Sequence, residues 1–221
     1  GVELGRSFVQ PTYWGKRSLD YLWYGIGSYL TQNPHIRYLF GPVSLSNDMP
    51  KPAKDLMVYF FSMYFGQPEH QRAFLKASGT LNSEKYCSSN PNSLDRLAHS
   101  KRPYRLTSHL INSLKKHFTG EDYKQDFKTL KHILGNMGCS IPTLFKQYSD
   151  LCELDGLVFL DFGIDEGFGD CIDGLVIVDV TKIKQKKRAR YMPSSMSNES
   201  SLVMDTLRHA TDSKRPLKGK Q

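Results

Sequence analysis

The chain has 221 residues, 39% of them hydrophobic, and a formal net charge of +8. That size suits one globular domain with its own core. No apolar run approaches 18 residues, so the sequence predicts no membrane-spanning helix. Four scattered cysteines without a C-x-x-C pair are typical of free thiols in a reducing compartment, so we expect a cytoplasmic protein without bound metal.

The positive charge is concentrated towards the C-terminus. Residues 184–221 contain ten Lys or Arg residues against three acidic ones, which leaves about one net positive charge for residues 1–183. Hydrophobic periodicity ends near Arg190, so we predict a folded domain over 1–191 and a disordered basic tail over 192–221. Such a tail either stays solvated without a partner or contacts an anionic surface. We expect peripheral contact with an anionic membrane and no nucleic acid.

The first part of the chain predicts a strand, a loop, a helix and a second strand. These elements cover 2–9, 10–17, about 18–32 and 36–40, and the Gly41-Pro42 pair is expected to end the second strand. Ser18 or Asp20 can cap the helix. Two strands joined by a helix of this length form a βαβ unit, so they should lie parallel with a right-handed crossover.

The remainder predicts four helices and a late pair of strands. The helices are expected over 53–65, with Pro52 in the first turn, and over 106–117, 122–137 and 143–152, and the strands over 157–162 and 175–180. We expect loops over 42–51 and over the Gly- and Asp-rich stretch 163–173. Residues 66–120 are otherwise polar and irregular.

Several segments occur in an order and spacing that resemble a known enzyme family. They are Glu3–Ser7, Leu22–Leu30, Ile36–Ser44, Leu144–Tyr148, and Leu160–Phe162 followed by Cys171–Val176. They resemble the bacterial ornithine-lipid N-acyltransferases, a branch of the GNAT superfamily often labelled hemolysins and related to the acyl-homoserine-lactone synthases. The resemblance implies a mixed α/β fold, in which a twisted GNAT-like sheet surrounds a central βαβ unit, with a helical insertion and a basic tail.

The resemblance also implies that strands expected before residue 2 are missing. The chain would then be the C-terminal part of a GNAT-like domain, and its first strand would have an exposed edge. The implied activity is transfer of a fatty acyl group from acyl carrier protein, or from acyl-CoA, to the amine of ornithine or another amino acid. The reaction would occur at the inner face of the cytoplasmic membrane, with acyl-phosphopantetheine as donor substrate and no bound cofactor. The alternative is a non-catalytic GNAT module that binds a lipid surface or a protein.

Glu3 and Arg6 are the candidate catalytic residues. Glu3 can accept a proton from the attacking amine, and Arg6 can orient Glu3 or bind a substrate carboxylate. Residues i and i+3 of a regular strand face opposite sides, so joint action requires a β-bulge near Gly5. The alternative interpretation is a structural salt bridge between the two.

The loop before the first helix is the candidate phosphate-binding segment. The GNAT pattern has a second glycine where this chain has Lys16, Arg17 and Ser18 after Gly15. This departure fits a donor with a single phosphate, which Lys16 and Arg17 could meet, or else a solvated basic turn. The resemblance also places five residues along the substrate cleft: Ser7, Phe8, Val9, Gly41 and Ser44.

Three further patterns have a structural and a functional interpretation. Tyr59 and Tyr64 could protonate a leaving thiolate or be core aromatics. Four aspartates, Asp161, Asp165, Asp170 and Asp173, could bind a cationic amino acid or form turns. The spacing of His117 and Asp122 matches the H-x-x-x-x-D pattern of glycerolipid acyltransferases without its flanking residues, which indicates a chance match.

Overall fold

The computed structural model describes residues 1–5, 9–13, 17–67 and 102–192. The helices are α1 (Ser18–Gln32), α2 (Lys51–Phe65), α3 (Ser108–Leu114), α4 (Tyr123–Asn136), α5 (Thr143–Leu151) and α6 (Gln185–Tyr191). The strands are β1 (Val2–Glu3), β2 (Tyr38–Leu45), β3 (Leu157–Asp165) and β4 (Cys171–Asp179).

The four strands form one mixed sheet in the order β1-β2-β4-β3. β1 and β2 lie parallel, as expected for strands joined by a helix, whereas β4 is antiparallel to both β2 and β3. β1 is therefore an edge strand of the described sheet. The predicted mixed α/β fold class is confirmed, and the sheet is compatible with a GNAT-like twisted sheet.

The hydrophobic core lies on one face of this sheet. Alternate residues of β2 are fully buried, namely Leu39, Val43 and Leu45, while their neighbours on the other face are half-buried or exposed. The partners of the buried set on β4 face the same way, because residues paired across a sheet share a face. The sheet therefore has a packed face and a more open face.

Aromatic rings fill the space between the packed face and the helices. Phe61 of α2 lies 5.4 Å from Phe159 of β3 and 5.0 Å from Phe145 of α5, measured between ring centroids. Trp23 of α1 meets Tyr148 of α5 edge to face at 5.7 Å. These contacts link α1, α2 and α5 to the same side of the sheet.

A buried carboxylate joins α4 to α2. Asp126 accepts hydrogen bonds from the Tyr64 hydroxyl (2.6 Å) and the Gly120 amide (2.8 Å), and from the amide and hydroxyl of Thr119. Burial opposes its ionisation, but these hydrogen bonds lower the pKa of Asp126 below its ordinary value. The loop before α4 is thereby fixed against α2.

The second strand is longer than the sequence predicted. The prediction that Gly41-Pro42 ends it was wrong, since β2 continues to Leu45 and pairs with β4 throughout. Proline breaks a ladder only on the side that its nitrogen faces, and the Leu4–Phe40 hydrogen bond indicates that Pro42 faces away from β4. The loop predicted over 42–51 is correspondingly shorter.

Two other parts of the fold differ from the prediction. Residues 163–173 do not form one long loop, because β3 and β4 extend to Asp165 and from Cys171, leaving a short turn in which Gly169 has a φ of 64°. Helix α6 was not predicted, because its sequence QKKRARY has no apolar period. Residues 193–221 of the predicted tail lie outside the described residues, and the domain boundary at 191 stays a prediction.

The capping prediction for α1 was wrong. Arg17 is the N-cap residue and no side chain caps the helix. The Ser18 hydroxyl instead donates to the Tyr13 carbonyl at 2.7 Å, and the Asp20 carboxylate accepts bonds from other side chains. The predicted extents of α2, α4 and α5 agree with the structure within two residues.

We predict that Asp126→Asn destabilises the fold by about 1–3 kcal/mol, because it removes the charge from four buried hydrogen bonds. The pKa of Asp126 is lowered in the folded state. The charged Asp126 therefore stabilises the fold fully at pH values above the ordinary carboxyl pKa of about 3.9. This stabilisation is lost as the pH falls through the lower pKa of the folded state. Thermal unfolding from neutral to acid pH should show the difference from wild type shrinking only in acid.

Asp170→Asn is the matched control. Asp170 is exposed and has a φ of 56°, a conformation that Asn also tolerates. A loss of stability in this variant equal to that in Asp126→Asn would contradict the assignment.

Candidate functional site

The candidate site lies where β1 separates from β2. Val2 pairs with Leu39 and Glu3 with Phe40, and the Leu4 amide donates to the Phe40 carbonyl at 2.7 Å. The parallel pairing ends there, although β2 runs on to Leu45. This confirms that the two strands are adjacent and parallel.

Pro42 explains why the pairing ends. In a parallel ladder, a residue whose amide donates to residue 40 would accept its next hydrogen bond from the amide of residue 42. Pro42 has no amide hydrogen, so the Leu4 carbonyl receives no ladder bond from it. The sequence therefore separates the strands at a defined residue pair.

Beyond this point one edge of β2 has no strand partner among the described residues. Alternation along the strand directs the Pro42 carbonyl, and the amide and carbonyl of Ser44, towards that edge. Ser44 lies about 13 Å along the strand from Phe40, at roughly 3.3 Å per residue. We call this open edge between Phe40 and Ser44 the slot.

Gly41 is required by close backbone packing at the closed end of the slot. A Cβ added at Gly41 would lie 2.5 Å from the Leu4 carbonyl oxygen. Backbone cannot move aside as a flexible side chain can, so any larger residue would push β1 away from β2. The structure thus gives Gly41 a packing role, and its predicted contact with substrate stays a prediction.

Glu3 lies at the same closed end. Its pairing with Phe40 puts its side chain on the open face of the sheet. The carboxylate turns back over the chain, since a Cβ at Gly5 would lie 2.8 Å from Glu3 Oε1. A half-buried carboxylate is thereby held beside the point where the strands separate.

The predicted partner of Glu3, Arg6, lies outside the described residues. The same holds for three predicted substrate-binding residues: Ser7, Phe8 and Lys16. The roles of all four stay predictions. The pairing of β1 with β2 shows no register shift at Val2 and Glu3 and ends before Gly5. A bulge near Gly5 therefore also stays a prediction. Val9 is half-buried and described, and its predicted contact with substrate is untested.

Arg17 is bound within the protein. Its guanidinium donates to Asp20 Oδ2 at 2.5 and 3.0 Å, and this hydrogen bond raises the pKa of Arg17. Arg190 of α6 bonds the same oxygen, and the Tyr191 hydroxyl donates to the other at 2.7 Å. Burial opposes ionisation of Asp20, but bonds from Arg17, Tyr191 and Arg190 lower the pKa of its carboxyl. Any phosphate at this loop therefore competes with Asp20 for Arg17.

Sequence reasoning missed this four-residue cluster around Asp20. Asp20 and Arg190 are 170 positions apart, and no local pattern pairs them. The signal available was the single acidic residue of α1 three positions after Arg17, a spacing that brings side chains together on a helix.

Ser44 belongs to a small polar group at the far end of the slot. Ser44 pairs with Asp173 across the sheet, and Asp173 Oδ1 accepts from the Cys171 thiol at 3.4 Å. Burial and the nearby Asp173 carboxylate raise the pKa of Cys171 to about 12. Both effects favour the neutral thiol over a reactive thiolate at this position.

Asp173 differs from the other three candidate aspartates. Asp161 forms a bidentate pair with Arg105 at 2.6 and 2.7 Å. Asp165 accepts from the Gly167 amide, and Asp170 has a positive φ in the same turn. Ion pairing and turn geometry thus account for three, while Asp173, which accepts from the Cys171 thiol, is only 8% exposed beside Ser44.

The tyrosines and the His117–Asp122 pair have structural contacts. The Tyr64 hydroxyl donates to Asp126, and burial followed by this bond raises the pKa of Tyr64 above its ordinary value. Tyr59 stacks on Phe118 at 6.0 Å. Asp122 caps α4 by accepting from the amides of residues 124 and 125. These contacts favour the core and capping interpretations.

Within the described part of the chain, no three His, Cys, Asp or Glu side chains come together as a metal site. None of the helices in the same ranges is both long and apolar enough to span a bilayer.

The chain is similar in sequence to two curated bacterial proteins, each named glycine N(alpha)-acyltransferase. The protein from Phocaeicola vulgatus is 26% identical over 200 residues, which cover 87% of this chain and 52% of the relative. The protein from Bacteroides thetaiotaomicron is 25% identical over 198 residues, which cover 86% of this chain and 50% of the relative. The chain thus spans about half the length of these relatives. These names do not confirm the ornithine-lipid branch.

No family model and no solved structure matches the chain.

We predict that Pro42→Ala extends the pairing of β1 with β2. The new amide would donate to the Leu4 carbonyl and should be protected in amide hydrogen exchange. Stability should change little, because a gain of about 0.5–1.5 kcal/mol from the bond offsets about 0.4–1 kcal/mol lost with the proline.

Pro52→Ala is the matched control. Residue 52 lies in the first turn of α2, where a new amide has no partner within the helix. Equally fast exchange of the new amides at 42 and 52 would show that Pro42 does not separate the strands.

Proposed function

We propose that the chain carries the acyl-transfer site of an N-acyltransferase, which moves an acyl group from a thioester donor to the α-amine of an amino acid. The observation that carries the proposal is the slot, an open strand edge that begins beside Glu3. The names of the two relatives support the same reaction class.

Transfer of this kind needs few protein groups. The amine nitrogen attacks the thioester carbon, a C–N bond forms, and the C–S bond breaks to release the thiolate. The amine gives up one proton, and the thiolate ends as a thiol after taking one. A carboxylate near the amine can accept that proton, directly or through water, and no covalent intermediate is required.

Glu3 is the residue we assign to this step. It lies at the closed end of the slot, where its carboxylate is held over Gly5. Cys171 is unsuited to a covalent route, because burial raises the pKa of its thiol to about 12. Direct attack by the amine with Glu3 as base is therefore the mechanism that these side chains favour.

The slot also suits the donor. An acyl-phosphopantetheine arm is extended and carries amide groups, and the edge of β2 offers the Pro42 and Ser44 carbonyls and the Ser44 amide. Such an arm can bind as an added strand. We propose acyl carrier protein as its source, with acyl-CoA as the alternative that the assays must distinguish.

For the acceptor we propose a small amino acid. Glycine is the first to test, since both relatives are named for it; ornithine is the alternative. The proposed site of action is the inner face of the cytoplasmic membrane, where an acylated amino acid would partition into lipid.

The active protein should show the donor and acceptor directly. We expect the N-acyl product from glycine to form faster with an acyl carrier protein than with acyl-CoA of the same chain length. Mass spectrometry of the products, with glycine and ornithine in parallel, makes the measurement. Formation of an O-acyl product, or free acid alone, would contradict N-acyl transfer.

Glu3→Gln should lower kcat by about 10²- to 10⁴-fold, because glutamine keeps the shape but cannot accept the amine proton. Donor affinity and melting temperature should change little. Higher pH should partly restore the rate, since more of the free amine is then already deprotonated.

Glu166→Gln in the β3–β4 turn is the matched control, because Glu166 is exposed and lies far along the sheet from β1. Wild-type turnover by a well-folded Glu3→Gln protein would end the assignment of Glu3. A lower melting temperature with an unchanged rate per folded molecule would instead mark Glu3 as structural.

A further inference from the structure

The outer side of α1 is unusual for a surface helix because it carries no charge. Asp20 is the single Asp, Glu, Lys, Arg or His in its 15 residues, and it is engaged with Arg17, Arg190 and Tyr191. The residues that face away from the core recur at helical spacing: Tyr21, Leu22, Gly25, Ser28, Tyr29 and Gln32. We call this set the α1 strip.

The α1 strip exposes large apolar side chains. Tyr21 is 51% exposed, Leu22 40% and Tyr29 50%. A Cβ at Gly25 would have no neighbour within 4 Å. Tyr21 and Tyr29 are about 12 Å apart along the axis, at roughly 1.5 Å per residue. A contiguous exposed surface of this kind indicates an interaction site.

Helix α6 packs against the buried side of α1 and borders the strip through Tyr24. A Cβ at Gly27 would lie 1.9 Å from the Tyr191 carbonyl oxygen, so the two helices touch through backbone. Ring contacts run from Tyr21 to Tyr24 at 6.5 Å and from Tyr24 to Tyr191 at 5.3 Å. The basic helix α6 therefore lies across Tyr24 from the uncharged strip.

The charge beside the strip is strongly positive. Six cations are present on and before the two helices: Arg17, Lys184, Lys186, Lys187, Arg188 and Arg190. The carboxylates paired with them are Asp20 and Asp150. The excess of four positive charges indicates an anionic partner. A second copy of the chain would bring the same excess against it.

We propose that the α1 strip and helix α6 form a docking surface for an anionic lipid bilayer. Tyrosine suits the boundary between lipid and water because its ring is apolar and its hydroxyl can hydrogen-bond to water. Leu22 supplies apolar area between the two tyrosines. The basic side chains of α6 meet acidic headgroups, as in helices that lie in the plane of a membrane interface.

The docking surface is separate from the slot. It consists of α1 and α6, whereas the slot is formed by β1 and β2, so lipid binding can be measured without donor or acceptor. The inference therefore does not depend on the proposed acyl transfer. An inactive protein that binds vesicles and an active one that does not are distinguishable results.

The test is cosedimentation of the whole chain with phosphatidylcholine vesicles, prepared with and without phosphatidylglycerol. We expect binding to the anionic vesicles that weakens at high salt. Replacing Tyr21, Leu22 and Tyr29 together by Gln should lower the partition coefficient by about tenfold or more, since it removes the apolar contact and keeps helix propensity.

The matched control replaces three exposed apolar side chains elsewhere by Gln: Ile111, Met137 and Phe168. It should bind as wild type does. Lys186→Glu should weaken binding about fivefold at low salt, while Lys131→Glu on the exposed side of α4 should not. Circular dichroism and thermal unfolding establish that each variant is folded.

A second readout covers the case in which the triple variant does not fold. Tyr29→Trp keeps an aromatic ring, and its fluorescence should be quenched by brominated lipid, whereas that of Phe168→Trp should not. Failure of the wild type to bind anionic vesicles would overturn the proposal. So would full binding by the triple variant, which would leave lipid contact to residues outside the strip.

Two other results would overturn it as well. Equal loss of binding in the strip variant and its matched control would show that the effect is not specific to α1. A dimer that becomes a monomer on replacing the strip would show that this face contacts a second copy.

Discussion

The absence of one hydrogen-bond donor, the amide that Pro42 lacks, decides the shape of the candidate site. Without it the parallel ladder stops after the bond from Leu4 to Phe40 at 2.7 Å, although β2 itself continues. The same proline leaves the pairing of β2 with β4 intact, because its nitrogen faces away from β4. A residue that is usually unfavourable in a sheet is here placed where it opens one edge and leaves the other paired.

The packing of the sheet explains why that opening holds its shape. The aromatic contacts that link α1, α2 and α5 to the sheet lie on one face, where Leu39, Val43 and Leu45 are fully buried. β2 is thereby held in place by the core, which packs on one of its faces, and by β4, which pairs with one of its edges. β1 in contrast is an edge strand of two residues. Its position depends on the close contact of the Leu4 carbonyl with Gly41, so a small change at this glycine acts directly on the closed end of the slot.

Sequence patterns predicted the local elements well and the long-range pairs poorly. Helices α2, α4 and α5 follow from their apolar period, which depends only on neighbours along the chain. The course of β2 through Gly41-Pro42 does not, because whether a proline ends a strand depends on which edge is paired. The aspartates of the β3–β4 turn were recognisable as turn formers. The burial of Asp173 beside Ser44 was not, because it requires the register of two strands that lie 129 positions apart.

The cluster around Asp20 shows how pairing changes the meaning of a charge. By sequence, Arg17 is a cation at a loop before a helix, ready for a phosphate. In the structure its charge is balanced by Asp20, which also binds Arg190 and Tyr191 and so holds α6 against α1. A phosphate at this loop would have to replace bonds that position α6, and exchanging one ionic contact for another yields little net free energy. If the proposed function holds, recognition in the slot would fall mainly to the backbone groups of β2, whose spacing suits an extended, amide-bearing arm.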